Sequence, residues 1–588
     1  MSQQAPSLVL CLALASALVA SCGPSKEATV PDKPADNPPP PAEAPRPPPP
    51  DYDQEAQVFL EAYLTDFARL EGAATLAAWT ASNSGKKEDF DAAAAAELAL
   101  KKLHGDADRY RVLGALLEHA DAIQPERRRA LEVAALAFRA NQLPEELLGK
   151  LVAAQAEITQ VFNTYRAELD GKKLSNNDLL ERLEKEKNGA RRQRLWEALK
   201  QVGAQVGPRL VALAKLRNEA ARSLGFTDFW DMQVRLQEHD PERLLALFAE
   251  LEALTDQPFR EMKATLDAEV GKRLKAKPAE LMPWHYDNPF FQAPPPSAAV
   301  DLNVFFARKK KEDVVEQARR FFAEIGLPVD DLIARSDFYE RPGKDQHAFC
   351  TTIDRGDDVR MLLNIKPTAD WQETMLHETG HAIYAKLVRR DLPFNLRDAA
   401  HPFTTEGVAM LFGALAASPA WLVDFAGAKP GQASKLAGAI REQRRREQLI
   451  FARWAMVMLH FERALYQNPE QDLDTLWYDL VERLQLLRRP AGRKAPDWAA
   501  KPHFTIAPVY YHNYLLGELF AAQMRDSAGR ALGLAQPFAA TSWKGRPDLG
   551  KWMAERVFAP GMLQSWPGFV KDATGAELSA AAFAAELK

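Results

Sequence analysis

The sequence predicts a mainly α-helical fold with one small β-hairpin, on the strength of three observations. Beyond residue 51 the chain is rich in Ala, Leu, Glu, Arg and Gln, which are all favourable in helices. Apolar side chains recur there three and four residues apart, which is the spacing of one helix face. Two such runs are Leu113, Leu116, Leu117 and Ala120, and Leu244, Leu247, Phe248 and Leu251. The exception is a hairpin pattern, in which strand-like segments at 347–353 and 359–365 flank a Gly- and Asp-containing turn at 354–358.

The chain begins with a segment typical of targeting signals. Residues 8–20 are an apolar run of about 13 residues, which suits a secretory signal and is too short for a typical membrane-spanning helix. Residues 19–22, Val-Ala-Ser-Cys, resemble the lipobox of bacterial lipoproteins, whose Cys becomes the lipidated first residue. We therefore expect a signal peptide at 1–21 and a lipid on Cys22 that holds the protein at a membrane of the cell envelope, on the periplasmic or surface side of the outer membrane. Residues 1–7 contain no Lys or Arg, so a simply secreted protein is the alternative.

Residues 22–52 are expected to hold the lipidated Cys22 and a linker. Pro dominates this stretch, which favours an extended polyproline conformation and cannot build a core. We find no second linker and no internal repeat, so residues 53–588 are expected to form one domain. Cys11 would leave with the signal, which makes Cys350 the remaining thiol and predicts no intrachain disulfide.

Charge argues against a nucleic-acid partner. The 588-residue chain has a formal net charge of −5 and no long basic block. Its densest basic run, residues 308–311, is followed directly by Glu312 and Asp313, as on a solvated helix face.

A metal-binding motif lies in a stretch that is helical from 371 to about 390. His377 and His381 are four residues apart, so a helix places both imidazoles on one face, where they can bind one zinc ion. Glu378 would then be the general base that activates water for attack on a carbonyl. For the third ligand we favour Glu406, 25 residues after His381 and in the first turn of a helix that follows Pro402. An ordinary first-turn Glu, favoured by the helix dipole, is the alternative.

A second cluster of candidate residues lies near the C-terminus. Tyr511 and Tyr514 are three residues apart and share a helix face, and Lys501 and His503 precede them. A phenol or an imidazole can stabilise an oxyanion, and a Lys can bind a substrate carboxylate. The alternative for each is structural, since Tyr on a packed helix belongs more often to the core and Lys is most often solvated.

Together these motifs resemble the angiotensin-converting enzyme family of zinc dipeptidyl carboxypeptidases. The resemblance rests on His377 to His381 with Glu406, on Trp477-Tyr-Asp-Leu, and on Lys501-x-His503 with the Tyr pair, and it runs from about residue 213 to past 516. It implies a two-lobed helical ellipsoid with a deep central channel and one zinc ion at the channel floor. It also implies release of dipeptides from the C-terminus of short peptides by a zinc metallopeptidase domain at 53–588.

The resemblance also implies a role for each site residue. The implied zinc ligands are His377, His381 and Glu406, the implied base is Glu378, and the implied stabilisers of the tetrahedral intermediate are Tyr514 and His503. Lys501 and Tyr511 would bind the C-terminal carboxylate, and His347 and Ala348 would lie on the strand that hydrogen-bonds the peptide.

Some positions depart from the family pattern. Asn513 replaces an Arg that binds chloride, which puts a chloride requirement in doubt, and Met410 replaces an Asp that supports a zinc-bound His. Tyr286 replaces a Gln that helps to bind the carboxylate, and the intervals from His381 to Glu406 and from His503 to Tyr514 are each one residue longer. An endo-acting oligopeptidase of the related thimet type is therefore the first alternative, and an inactive peptide-binding lipoprotein is the second.

Overall fold

The computed structural model describes residues 50–295, 300–533 and 542–587. The expectations for the signal peptide, for Cys22 and for nearly all of the linker concern residues 1–49 and lie outside the described residues. The expected domain from 53 onward falls almost entirely within them.

Helices make up most of the described chain, so the mainly α prediction is confirmed. The first half contains α1 Tyr52–Ser84, α2 Lys87–His104, α3 Ala107–Leu117, α4 Pro125–Ala140, α5 Glu145–Thr164, α6 Asn176–Lys185, α7 Gly189–Lys200, α8 Val202–Ser223, α9 Phe229–Leu236 and α10 Pro241–Leu274. The second half contains α11 Lys311–Glu324, α12 Asp330–Arg335, α13 Ala369–Leu387, α14 Pro402–Gly413, α15 Pro419–Trp421, α16 Pro430–Gln467, α17 Leu473–Gln485, α18 His503–Ile506, α19 Tyr511–Leu532, α20 Pro547–Met553, α21 Trp566–Thr574 and α22 Ala581–Glu586. The implied division into two lobes stays a prediction.

Two short antiparallel hairpins complete the fold. Strand β1 Ala167–Leu169 pairs with β2 Lys172–Leu174, and β3 Phe349–Thr352 pairs with β4 Val359–Leu362. The second pair is the hairpin expected from the sequence, but both of its strands are shorter than expected. The chain before β3 turns because the His347 N–H donates to the Asp345 carboxylate at 2.9 Å. The chain after β4 leaves its partner because the Leu363 N–H donates to the Asp337 carbonyl at 2.8 Å.

The motif helix α13 begins and ends for local reasons. Thr368 caps its N-terminus by accepting a hydrogen bond from the Trp371 N–H at 3.3 Å. The helix ends at Leu387, three residues before the expected end near 390, because Val388 adopts an extended conformation and the Arg389 N–H donates to the Ala559 carbonyl. Both His residues of the motif lie well inside the helix.

Small residues allow α13, α14 and α19 to pack backbone against backbone. A Cβ atom on Gly380 would lie 3.0 Å from the Cα of Ala409 in α14, and one on Gly407 would lie 2.8 Å from the Gly517 carbonyl oxygen in α19. A Cβ on Gly517 would lie 3.2 Å from the Cβ of Glu406. Glycine at these positions therefore allows the three helices to pack closely. Glu406, on α14, lies between α13 and α19.

One large hydrophobic core runs from Ala56 to Leu587, and a smaller one lies between Ala167 and Leu199. Within the described ranges, no single helix is both long and apolar enough to cross a membrane. One bent pair, Pro402–Ala417 with Pro419–Ala426, meets the same criteria of length and composition, with 62° between its two parts.

Candidate metal centre and channel

The two His residues of the motif meet on one face of α13, as their spacing predicts. Nε2 of His377 and Nε2 of His381 lie 3.2 Å apart. Two imidazoles that bind one tetrahedral zinc ion at about 2.0 Å each bring their nitrogens to roughly 3.3 Å from one another. The observed separation fits that arrangement.

Glu406 faces both imidazoles from α14. Its Oε2 lies 3.8 Å from Nε2 of His377 and 3.9 Å from Nε2 of His381, and the ligand atoms of all three residues fall within 4.8 Å of one another. Two imidazole nitrogens and one carboxylate oxygen are a usual donor set of catalytic zinc, in which the fourth position stays open. These residues therefore fit one zinc ion.

The hydroxyl of Thr405 supports the second His. Oγ1 of Thr405 lies 2.6 Å from Nδ1 of His381. For His377, the described residues offer no hydrogen-bond partner at Nδ1. Met410, at the position where the sequence comparison expected an Asp, has a thioether in place of a carboxylate. The Met at position 410 left the supporting partner of a zinc-bound His unassigned, and no pattern in the sequence singled out Thr405.

Burial dominates the electrostatics of this cluster. It lowers the pKa of His377 to about 4 and that of His381 well below its usual range, which keeps both imidazoles neutral, as metal binding requires. Burial also raises the pKa of Glu406 to about 7 and, together with the nearby Glu406 charge, that of Glu378 to about 8. A bound cation would offset the unfavourable ionisation of these carboxylates, which is a second reason why the cluster fits a metal.

One cavity of about 1020 Å³ is lined by every metal-binding, catalytic and substrate-binding residue predicted from the sequence. Its wall includes His347, Ala348, His377, Glu378, His381, Glu406, Lys501, His503, Tyr511 and Tyr514. Helices α1 and α2 form another part of the wall, with Trp79 and Phe90 among their contributions. The cavity thus places the metal cluster and the C-terminal cluster in one compartment, although Glu406 and Lys501 are 95 residues apart in sequence.

The Lys501 end of the cavity contains a residue that sequence analysis missed. Nζ of Lys501 is buried and donates to Oε1 of Gln292 at 2.7 Å, and Gln292 also lines the cavity. Burial lowers the pKa of Lys501 to about 7. Tyr286 instead lies outside the cavity wall, where its hydroxyl donates to Asp267 and accepts from Lys263. Gln292 and not Tyr286 therefore lies beside Lys501, and no pattern in the sequence singled it out.

Tyr511 points its hydroxyl toward the same end. The indole N–H of Trp454 donates to the Tyr511 hydroxyl oxygen at 2.7 Å, which leaves the phenol proton free to be donated. Burial raises the pKa of Tyr511, so the phenol stays protonated. Tyr511 can therefore donate to an anionic ligand.

Tyr514 and His503, which both line the cavity, each have a buried polar atom without a partner. Among the described residues, the Tyr514 hydroxyl and Nδ1 of His503 have no hydrogen-bond partner. Burial raises the pKa of Tyr514, and it lowers the pKa of His503 well below its usual range, so that a protonated phenol and a neutral imidazole face the cavity. Buried groups of this kind are normally satisfied, and here a bound substrate can satisfy them.

The loop before α19 contains a residue with a strained backbone. Val509 adopts a left-handed conformation with φ 52°, which is rare for a β-branched residue. Its N–H donates to the Glu462 carboxylate at 2.8 Å, and its carbonyl accepts from the Gln237 amide at 2.9 Å. These two contacts stabilise the strained backbone and help to set where Tyr511 begins α19.

The residues expected on the peptide-binding strand lie just outside it. His347 and Ala348 precede β3, which begins at Phe349. His347 is 62% exposed and pairs with Asp345, whose carboxylate raises the pKa of the imidazole, whereas Ala348 is buried. Among the described residues β3 pairs only with β4, so its other edge is free, and Phe349 to Thr352 line the cavity. An extended peptide can therefore pair with this edge.

Asn513 has a structural environment of its own. It is fully buried. Its side-chain N–H₂ donates to Oε1 of Gln237 at 2.7 Å, and its Oδ1 lies 3.3 Å from Nε2 of His239. Asn513 does not line the cavity and carries no charge, so it has no obvious means of holding an anion.

Comparison with known proteins agrees with the geometry. A peptidase family model described as angiotensin-converting enzyme matches residues 51–585 of the chain. A search of curated proteins finds no match.

Proposed function

Since the chain belongs to the angiotensin-converting enzyme family of peptidases, we propose that it is a zinc-dependent peptidyl-dipeptidase. In this role it releases dipeptides from the free C-terminus of short peptides. The observation that carries the proposal is that one cavity joins the His377, His381 and Glu406 cluster to a buried Lys501. A metal cluster alone supports peptide hydrolysis, whereas a buried amine in the same compartment adds a means of recognising a terminal carboxylate.

The substrate is held at two places. Its C-terminal carboxylate accepts hydrogen bonds from Lys501, Tyr511 and the amide N–H₂ of Gln292, while its backbone pairs with the free edge of β3 near Ala348. This arrangement orients one peptide bond of the substrate toward Glu378 and holds the remainder of the peptide on the N-terminal side of that bond.

Residues of the chain then carry the proton transfers. Zinc held by His377, His381 and Glu406 supplies Lewis acidity at the carbonyl and lowers the pKa of water. Glu378 takes a proton from the attacking water and returns it to the leaving amine. The developing oxyanion accepts hydrogen bonds from the Tyr514 hydroxyl and from an N–H of His503. Among the described residues, the Tyr514 hydroxyl and Nδ1 of His503 both lack a partner.

An endo-acting oligopeptidase of the thimet type is the second candidate, and one observation favours it. Because the pKa of Lys501 is lowered to about 7, its amine loses much of its charge in neutral and alkaline solution. A neutral amine binds a carboxylate weakly, so peptides would then be cleaved whether or not their C-terminus is free. The third alternative, an inactive scaffold, is disfavoured because every residue that hydrolysis requires is present and faces the same cavity.

Digestion of a decapeptide with a free and with an amidated C-terminus separates these candidates. Incubation with the purified chain, followed by mass spectrometry, should show successive loss of dipeptides from the free form alone. Equal internal cleavage of both forms would support the oligopeptidase, and no cleavage of either by the zinc-loaded protein would support the inactive scaffold.

We also propose that lipid on Cys22 anchors the enzyme in the cell envelope, as the sequence of residues 19–22 suggests. Cys22→Ser should move the protein from the membrane fraction to the soluble fraction while leaving peptidase activity unchanged. A wild-type protein that is already soluble would favour simple secretion.

A further inference from the structure

Thr405 lies next to the third metal ligand in sequence and contacts the second metal ligand in space. Its Oγ1 is 2.6 Å from Nδ1 of His381, while Nε2 of the same ring faces Glu406. When Nε2 binds a metal, Nδ1 must carry the ring hydrogen and donate it. Thr405 is then the acceptor, and it holds His381 in the tautomer and ring orientation that bind the metal.

We propose that Thr405 is a positioning residue of the metal centre, which it supports through a neutral hydroxyl. The inference rests on the proposed function, since it concerns the zinc ion assigned there. It goes beyond that function because it names the group that orients a ligand and predicts how firmly the metal is held.

The start of α14 explains how Thr405 reaches His381. His401 caps this helix, and the Thr404 hydroxyl donates to the His401 carbonyl at 2.7 Å, so Thr404 is used within the cap. Successive residues of a helix are separated by about 100°, so Thr405 and Glu406 leave the helix in different directions. One reaches the Nδ1 side of His381 and the other its Nε2 side.

The Thr405 hydroxyl matters because, in the part of the chain that the structure describes, no charged group contacts Nδ1 of His381. Nδ1 of His377 has no hydrogen-bond partner there at all. Met410 has no oxygen with which to take that role at either ring. Orientation of the His381 imidazole therefore depends on the contact to Thr405, together with packing. Loss of such an outer contact typically weakens metal binding by about 10- to 100-fold.

Zinc affinity measured by competition with a chromophoric chelator tests the proposal without reference to catalysis. Thr405→Val keeps the shape of the side chain and removes the acceptor, so the Kd for zinc should rise by about 10- to 100-fold. Thr405→Ser keeps the hydroxyl and should restore most of the affinity. Thr405→Ala serves as a second variant, in case the buried Val methyl disturbs folding.

Thr379→Val is the matched control. Thr379 lies between the two ligands on α13, is fully buried, and donates its hydroxyl to the Met375 carbonyl at 2.6 Å, without a contact to either imidazole. It should bind zinc as the wild type does. Thermal unfolding of each metal-free protein checks that the variants are folded.

Three outcomes would overturn the role of Thr405: unchanged zinc affinity in folded T405V or T405A, a loss in T405S as large as in T405V, or an equal loss in T379V. Failure of the proposed function looks different, because the wild-type chain itself would then bind zinc no better than a His377→Ala variant.

Discussion

The metal cluster and the Lys501 pocket lie in one cavity, but they are built in different ways. The three metal-ligand candidates come from residues 377–406, on two consecutive helices. The Lys501 pocket joins Lys501 to Gln292 across 209 residues, with Trp454 supplying a further contact to Tyr511. A site built from one short segment can be predicted from the spacing of its residues in the sequence. A site built from distant segments depends on how the chain folds.

The two regions also differ in electrostatics. Burial disfavours ionisation of Glu378 and Glu406 in the metal cluster, where a cation can compensate for it. Burial likewise disfavours the charged form of Lys501, but its partner in the structure is the neutral amide of Gln292. The first region is therefore completed by a metal, and the second by the anionic end of a substrate.

The largest expected effect separates hydrolysis from metal binding. Glu378→Gln should lower kcat by roughly 10³- to 10⁴-fold, because it removes the general base, while zinc content stays at the wild-type value. Steady-state kinetics and metal analysis of the same sample measure both quantities. Glu373→Gln, five residues earlier on α13 and also in the cavity wall, is the control for loss of a cavity carboxylate as such and should remain active. Loss of zinc from E378Q would mean that Glu378 has a structural role.

Removal of the Tyr514 hydroxyl should have the next largest effect. Tyr514→Phe should lower kcat by roughly 10²- to 10³-fold with little change in KM, because the hydroxyl acts on the oxyanion that forms in the transition state. Tyr510→Phe is the matched control, since the Tyr510 ring packs 5.3 Å from that of Tyr514 but does not line the cavity. A Tyr514→Phe effect confined to KM would exclude the oxyanion role.

Lys501→Met tests the Lys501 pocket and should leave the metal cluster unchanged. We expect kcat/KM for a peptide with a free C-terminus to fall by about 10- to 100-fold, the value of a hydrogen bond to a charged group. The amidated peptide should be cleaved at nearly the wild-type rate, and zinc content should not change. An equal fall in kcat/KM for both peptides would show that Lys501 does not bind the C-terminal carboxylate.

The smallest expected effect is a pH dependence of substrate binding. The pKa of Lys501 is lowered to about 7, so the ammonium form predominates below that pH and is lost above it. KM for the free-carboxylate peptide should therefore rise several-fold between about pH 7 and 8.5, while KM for the amidated peptide should not follow this change. Lys501→Arg, which stays charged, should flatten the profile. A parallel rise in KM for both peptides in the wild type would assign the change to another group.

Much of the fold and most of the candidate site could be predicted from the sequence. Helical periodicity predicts the mainly α architecture, and the four-residue spacing of His377 and His381 determines that both rings share one face of α13. The candidate Glu406 also followed from its place near the start of a helix. These features depend on contacts between residues close in sequence, which pattern analysis can assess.

Only the tertiary structure decided which distant residues meet. It places Gln292 beside Lys501 where the sequence had suggested Tyr286, and Thr405 behind His381. It also shows a left-handed Val509 in the loop before α19, which no sequence pattern indicated. Such contacts depend on how the helices pack against each other at small residues such as Gly380 and Gly407. The sequence shows that these residues are small, but it does not show which residues will pack against them.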